Sequence, residues 1–285
     1  TEKKGNPRSC AAAEHRLQNR PPRGMLTPVP NQDGVIIMYE ELKQMLQESR
    51  RTLAFTGAGI STLSGIRDFR GKNGVYLEPW HGKSVEEILS LDCFLAEPAL
   101  FYGWAAEFLY RLEEFHPAAV HRALAGLEQS GLLRGVYTQN IDLLHQQAGS
   151  RHVYELHGSP ARHHCLKCRK QFGYAEIAPL VLAGKVPRCG CGGLVKPDIV
   201  FYGENLDEAL LNQAFADMEK AELVLVLGSS LTVQPAASLP MAANYGGGKI
   251  VIVNAQPTPL DRYAALRYDD LQSVFEELEN WLEHR

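Results

Sequence analysis

Four short apolar runs constrain this chain more than any other feature: "TLAFTG" (52–57), "GVYTQN" (135–140), "ELVLVLGSS" (222–230) and "KIVIVNA" (249–255). Each has the length of a buried strand and stops at a small or polar residue. Runs of this kind, separated by helical stretches, mark strands of a parallel sheet covered on both faces. Helical spacing fills the gaps. Leu211, Ala214, Phe215 and Met218 share one face of 206–220, and Phe101, Trp104, Ala105, Phe108 and Leu112 share one of 99–112. Near the C-terminus Leu271, Val274, Phe275, Leu278, Trp281 and Leu282 do the same. These stripes are read as core packing. The alternation predicts an α/β fold, a doubly wound parallel sheet with its ligand at the carboxyl ends of the strands. Two stretches fall outside that layer, 71–115 (helical and aromatic) and 159–202 (rich in Cys, Gly and Pro). They are read as insertions building a smaller lobe. Residues 1–34, rich in Pro, Asn and Arg without any period, are read as a flexible extension.

The charge balance, 33 acidic against 29 basic residues, carries no basic footprint for specific nucleic-acid binding. No apolar run reaches the roughly 20 residues of a membrane span. Four of the six cysteines fall between 165 and 191. Without a secretory start, that clustering predicts a metal in a reducing, cytoplasmic setting rather than disulfides. "CLKC" (Cys165, Cys168) is followed by "CGC" (Cys189, Cys191), a separation that suits a tetrahedral zinc between two knuckles. The second pair has a one-residue gap, which the flanking glycines accommodate. His163 and His164 are close enough in sequence to replace one thiolate. Four thiolates leave no open coordination position, so the zinc is expected to be structural. Cys10 and Cys93 are read as isolated reduced thiols.

The strand ends carry the chemistry. "YTQNID" leaves Gln139, Asn140 and Asp142 at one tip, "YELHG" places His157 before Gly158, and "LGSS" and "VNAQ" put Ser229, Ser230 and Asn254 at two more. Any one of these reads equally well as a turn former or a satisfied polar group. Together they converge on the edge where an open α/β sheet binds ligands. Small hydroxyls and amides there suit phosphate and ribose oxygens. His157 is the one histidine of the set and the natural acid/base near neutral pH. The first strand runs into Gly57, Ala58 and Gly59, but Thr62 stands where a dinucleotide fingerprint would place its third glycine.

"GAGIST…GIRDFR", "YTQNID", "YELHG", the two cysteine pairs, "VKPDIVFYGE", "LGSS" and "VNAQ" stand in the order found in sirtuins, the NAD-consuming protein deacylases, and the chain resembles that family over residues 38–285. The resemblance implies a Rossmann-like NAD-binding domain from 35–70, 116–158 and 203–285. A small domain would combine the helical module 71–115 with the zinc module 159–202. NAD and an acetylated lysine of a protein or peptide would meet between the two. Gly57, Ala58 and Gly59 would approach the pyrophosphate. Asp68, Phe69 and Arg70 would lie on the cofactor-binding loop. Gln139, Asn140, Ile141 and Asp142 would line the ribose and nicotinamide pocket, with Asn140 and Asp142 beside the catalytic base His157. Gly228, Ser229, Ser230, Val233 and Asn254 would hold the adenosine half. Val200, Phe201, Tyr202, Gly203 and Glu204 would pair with the substrate backbone as an added strand.

Two departures from the family pattern bear on function. The loop reads G-I-R-D-F-R where the common form has Pro, so Arg67 removes a fixed φ and adds a cation. The tyrosine and arginine that grip acidic acyl groups in the desuccinylase-like branch fall on Val75 and Glu78 here, or on Tyr76 and Pro79 in the neighbouring register. Neither supplies the cation. The expected activity is therefore removal of acetyl or longer neutral acyl groups. The alternatives are protein ADP-ribosyl transfer from the same NAD site, a non-catalytic NAD-sensing zinc-ribbon protein, and a hydride-transferring dehydrogenase. Oligomeric state is not encoded in any pattern of the sequence.

Overall fold

The structure, a computed structural model, describes residues 39–67, 74 and 79–285, so the extension 1–34 lies outside it. Helix α1 (Glu40–Glu48) leads into β1 (Thr52–Thr56). Helices α2 (Val85–Ile88), α3 (Leu91–Ala96), α4 (Pro98–Phe108) and α5 (Ala119–Gln129) precede β2 (Gly135–Thr138), α6 (Leu144–Gln147) and β3 (Val153–Glu155). The chain then makes β4 (Gly158–Cys165), β5 (Gln171–Gly173), α7 (Tyr174–Leu182) and β6 (Val195–Ile199). It returns through α8 (Glu208–Glu219), β7 (Leu223–Leu227), α9 (Leu239–Tyr245), β8 (Lys249–Val253), β9 (Ala264–Tyr268) and α10 (Leu271–Glu283).

The four apolar runs are the four central strands of one six-stranded sheet ordered β3-β2-β1-β7-β8-β9, every pair parallel. The direction of strand succession reverses between β1 and β7, where a doubly wound sheet opens its ligand crevice. Alternate residues serve opposite faces, as strand geometry requires. Ala54, Val136, Leu225 and Val251 pack with α1, α5 and α10, while Phe55, Tyr137, Val226 and Ile252 pack with α8 and α9. Each buried valine, leucine, isoleucine or phenylalanine among them contributes about 1.5–3 kcal/mol of transfer free energy. Strand β9, "AALRY", escapes sequence recognition because Arg267 and two alanines break the apolar run.

The two insertions share one core. Phe94 and Phe101, from α3 and α4, pack against Phe201 with centroids 5.2 and 5.1 Å from its ring, the first edge-on and the second tilted. Val195 and Ile199 of β6, Ile177 and Val181 of α7, and Cys165 and Cys189 complete it. Helix α4 stops at Phe108, short of the expected Leu112, which lies in a separate 3₁₀ turn, Leu112–Glu114. The Leu109 and Tyr110 amides both donate to the Ala105 carbonyl. The chain thereby leaves the helix and buries Tyr110, whose hydroxyl meets His163 Nε2 at 2.7 Å.

Candidate functional site

Between the sheet's carboxyl edge and the small lobe lies a cleft of about 960 Å³. Its floor is the point where β1 and β7 diverge. The Gly59 amide donates to the Gly228 carbonyl at 2.8 Å. A Cβ on Gly59 would lie 2.8 Å from the Gly228 Cα, and one on Gly57 would lie 2.9 Å from Ser229. The glycines of the first turn thus let two loops touch, and the Gly59 amide is engaged with protein rather than directed at a ligand.

Most of the strand-tip residues border this cleft. Gly57, Ala58, Gly59, Gln139, Asn140, Ile141, His157, Gly228, Ser229, Ser230, Val233 and Asn254 line the cleft, with Val200 to Glu204 on the facing wall. Asp68, Phe69, Arg70, Val75, Tyr76 and Glu78 lie outside the described residues. A hydrogen-bonded web joins the tips. Gln139 Nε2 donates to Ser229 Oγ at 2.8 Å, crossing the end of β1. Asn140 Nδ2 donates to the Gly57 carbonyl at 3.1 Å and to Ser61 Oγ at 2.9 Å. His157 Nδ1 lies 2.9 Å from the Gln139 carbonyl, an acceptor only. That contact makes Nδ1 the protonated nitrogen of the neutral ring and leaves the basic lone pair on Nε2.

Two of the expected positions show details that the sequence did not. Asp142 does not line the cleft. It is buried behind it, accepting from Ser61 Oγ at 2.5 Å and from the Leu144 amide at 3.0 Å, so it fixes Ser61 and through it Asn140. Burial pushes its carboxyl above the ordinary range, and the Ser61 and Leu144 donors oppose that push. Nor does the 200–204 segment offer a bare edge. The Val200 amide donates to the His157 carbonyl at 2.9 Å, the Tyr202 amide donates to the Leu89 carbonyl, and the Tyr202 carbonyl accepts from Leu91. The Glu204 carboxylate turns inward to the Phe201 amide and to Lys196. Any substrate strand added here must use other groups than these.

Sequence reading passed over three residues that shape the site, Ser61, Lys196 and Arg267. Arg267 Nη2 donates to the Asn254 and Gln256 carbonyls at 2.6 and 2.9 Å, and Nη1 to the Tyr268 carbonyl at 2.7 Å. It pins the loop after β8 that lines the cleft. Bonds to backbone carbonyls leave no trace in a residue pattern.

About the cysteines the structure is direct. The sulfurs of Cys165, Cys168, Cys189 and Cys191 lie within 4.8 Å of one another. Lys167 and Cys168 amides approach Cys165 Sγ at 3.4 and 3.5 Å, and a Cβ on Gly193 would sit 2.5 Å from that sulfur. Four convergent sulfurs with amide donors behind them fit zinc. His163 is bound to Tyr110 and His164 to Asp198, so neither substitutes for a thiolate. None of the four cysteines lines the cleft.

A parallel sheet reversing at a glycine-lined crevice, an imidazole on the crevice wall and an inserted lobe tied by four cysteines define a dinucleotide-binding α/β protein equipped for chemistry on its ligand. The chain belongs to the Sir2 family, whose model matches residues 57–235. It is 44% identical over 231 residues to the NAD-dependent protein deacetylase of Thermotoga maritima, covering 81% of this chain and 92% of that protein. It is 41% identical to NAD-dependent protein deacylase 2 of Archaeoglobus fulgidus over 229 residues, 79% of this chain and 88% of that one. A Sir2 structure with a deacetylated p53 peptide and 3'-O-acetyl ADP ribose matches with a TM-score of 0.78 at 42% identity, covering 86% and 97% of the two chains. A Sir2Tm structure bound to a propionylated peptide matches with a TM-score of 0.76 at 40% identity, covering 87% and 98%.

Proposed function

We propose that this chain is an NAD-dependent protein-lysine deacylase that removes acetyl and other neutral acyl groups, with His157 as its base. The observation that carries the reading is the His157–Gln139 contact. It orients the imidazole on the cleft wall, with Nδ1 turned to the Gln139 carbonyl, beside the strand reversal where a dinucleotide sits. NAD is a consumed co-substrate. The acyl oxygen attacks the ribose carbon as nicotinamide leaves. His157 then takes a proton from a ribose hydroxyl, which attacks the alkylimidate. Water completes the release of free lysine and O-acyl-ADP-ribose. The relatives' names and the peptides bound in the matched structures support this reaction over ADP-ribosyl transfer.

Within it, Ser229, Ser230 and Asn254 face the adenosine half, Gln139, Asn140 and Ile141 the ribose and nicotinamide, and Val200 to Gly203 the acyl peptide. Asp68, Phe69 and Arg70 belong to the cofactor loop in this reading. The segments 71–115 and 159–202 form the small domain. Cys165, Cys168, Cys189 and Cys191 would hold zinc, which would supply a cross-link in place of a larger core. Thiolates kept for a metal suit a reducing compartment such as the cytoplasm. No helix among the described residues is long and apolar enough to cross a membrane.

The test is a panel of acetyl, myristoyl and succinyl peptides with and without NAD, read by mass spectrometry. Nicotinamide and O-acetyl-ADP-ribose should appear with the acetyl peptide, little product should form from succinyl, and His157→Tyr should abolish both products. Label from NAD ending on protein would favour ADP-ribosyl transfer, and efficient succinyl removal would overturn the acyl preference.

A further inference from the structure

Lys196, on the buried strand β6, is 3% exposed. Its ammonium has three donors, and all three have acceptors. Nζ lies 2.8 Å from Glu204 Oε2, 2.8 Å from the Ile199 carbonyl and 3.2 Å from the Pro197 carbonyl. It also sits 4.2 Å from the centre of the Phe201 ring. Glu204 Oε2 accepts a second bond, from the Phe201 amide at 2.8 Å, and the Glu204 amide returns one to the Phe201 carbonyl at 2.9 Å. Gly203, at φ 92°, provides the left-handed turn that this closure needs. One ammonium thus ties the end of β6 to the turn 201–204, whose outer side is the cleft wall facing His157.

We infer that Lys196 is a positioning residue for the acyl peptide: through Glu204 it presets the Val200–Gly203 wall against which the substrate docks. The chemistry favours this over simple packing. A fully buried ammonium is costly, and a hydrophobic side chain of similar volume is often equal or better for stability alone. What the pair adds is direction. A carboxylate that accepts from both an ammonium and a backbone amide fixes the segment's course at several points. Glu204, 26% exposed at its side chain, can reach water if its partner is lost, whereas Lys196 cannot. The two partners are therefore unequal, and removal of Glu204 strands a buried charge.

The proposal rests on the deacylase reading, and binding measurements separate the two. Equilibrium affinity for an acetyl-lysine peptide is measured by fluorescence polarisation for wild type, Lys196→Met, Glu204→Gln and the double variant, together with Tm and KM for NAD. Peptide affinity should weaken roughly tenfold in Lys196→Met, the scale of one lost charge-assisted bond. KM for NAD should hold within about twofold, since no cofactor contact is touched. Glu204→Gln should lower Tm more than Lys196→Met. The double variant, with no unpaired buried charge, should recover Tm while peptide affinity stays weak. Recovery of both together would reduce the pair to a structural role and overturn the inference. So would parallel losses for peptide and NAD. Peptide that binds wild type without any nicotinamide release would instead sink the deacylase reading and leave the binding comparison intact.

Discussion

Gly59 and Gly228 meet at the reversal of the sheet: the Gly59 amide donates to the Gly228 carbonyl at 2.8 Å, and a Cβ on either residue would run into the backbone of the other loop. Gly228 also has φ 59°, in the left-handed region. Gly228→Ala should push Ile60 away and open the cofactor crevice. NAD affinity by calorimetry should fall roughly tenfold or more, with a stability loss of about 2 kcal/mol. Gly131→Ala is the control. It shares a positive φ of 74° but has open space for its Cβ, so it should cost about 1 kcal/mol and leave NAD affinity unchanged.

Arg267 acts on the neighbouring loop. Arg267→Met removes donors from the Asn254, Gln256 and Tyr268 carbonyls together. KM for NAD should rise roughly tenfold while KM for the acyl peptide changes little. Arg267→Lys should rescue only in part, because a single ammonium cannot span the fork of a guanidinium. Equal rises in both KM values would show a general loosening of the fold instead.

These two cases mark how far the sequence was readable. The apolar runs gave the central strands, and the polar tips gave nearly the whole cleft wall, because a strand's end is written locally. The motif places Asp142 in that wall, yet one residue beyond Ile141 the chain turns it inward to Ser61. Lys196 stands within the motif VKPDIVFYGE, yet its bonds to carbonyl oxygens, like those of Arg267, use groups that every residue carries, so neither role was legible. The departure of α4 from its helical stripe before Leu112 follows from burial of Tyr110 against His163, a partner 53 positions away.

His121 and His145 make stability sensitive to acid. Both are buried, with ring centres 5.0 Å apart, and desolvation lowers their pKa values to about 4 and about 3. In the unfolded chain each titrates near 6.5. The folded state therefore holds neutral rings, and the unfolded state takes up the extra protons. Stability is complete above pH ~6.5 and declines as pH falls towards 4, by roughly 2 kcal/mol per histidine at pH 5. Urea unfolding at pH 7.5 and pH 5 should show the loss, and His121→Gln should flatten the dependence.

Chelation should act on the small lobe first. Cys168→Ser, or removal of zinc, should abolish a metal stoichiometry of about one per chain measured by mass spectrometry. Tryptophan emission should shift, because Trp104 is buried in the small-lobe core and Trp80 packs against it, whereas Trp281 belongs to the large lobe. Deacylation should fail although no cysteine touches the cleft. Full activity after complete metal loss would disconnect the cluster from the site.

The core shared by the two insertions has a consequence for biosynthesis. On the ribosome, the helices carrying Phe94 and Phe101 emerge a full hundred-residue stretch before Phe201, the ring they close upon. Until then their aromatic faces lack the ring on which both close. The nascent chain must carry that sticky surface through the whole assembly of β2 and β3, which makes this interval the window in which a chaperone would engage it.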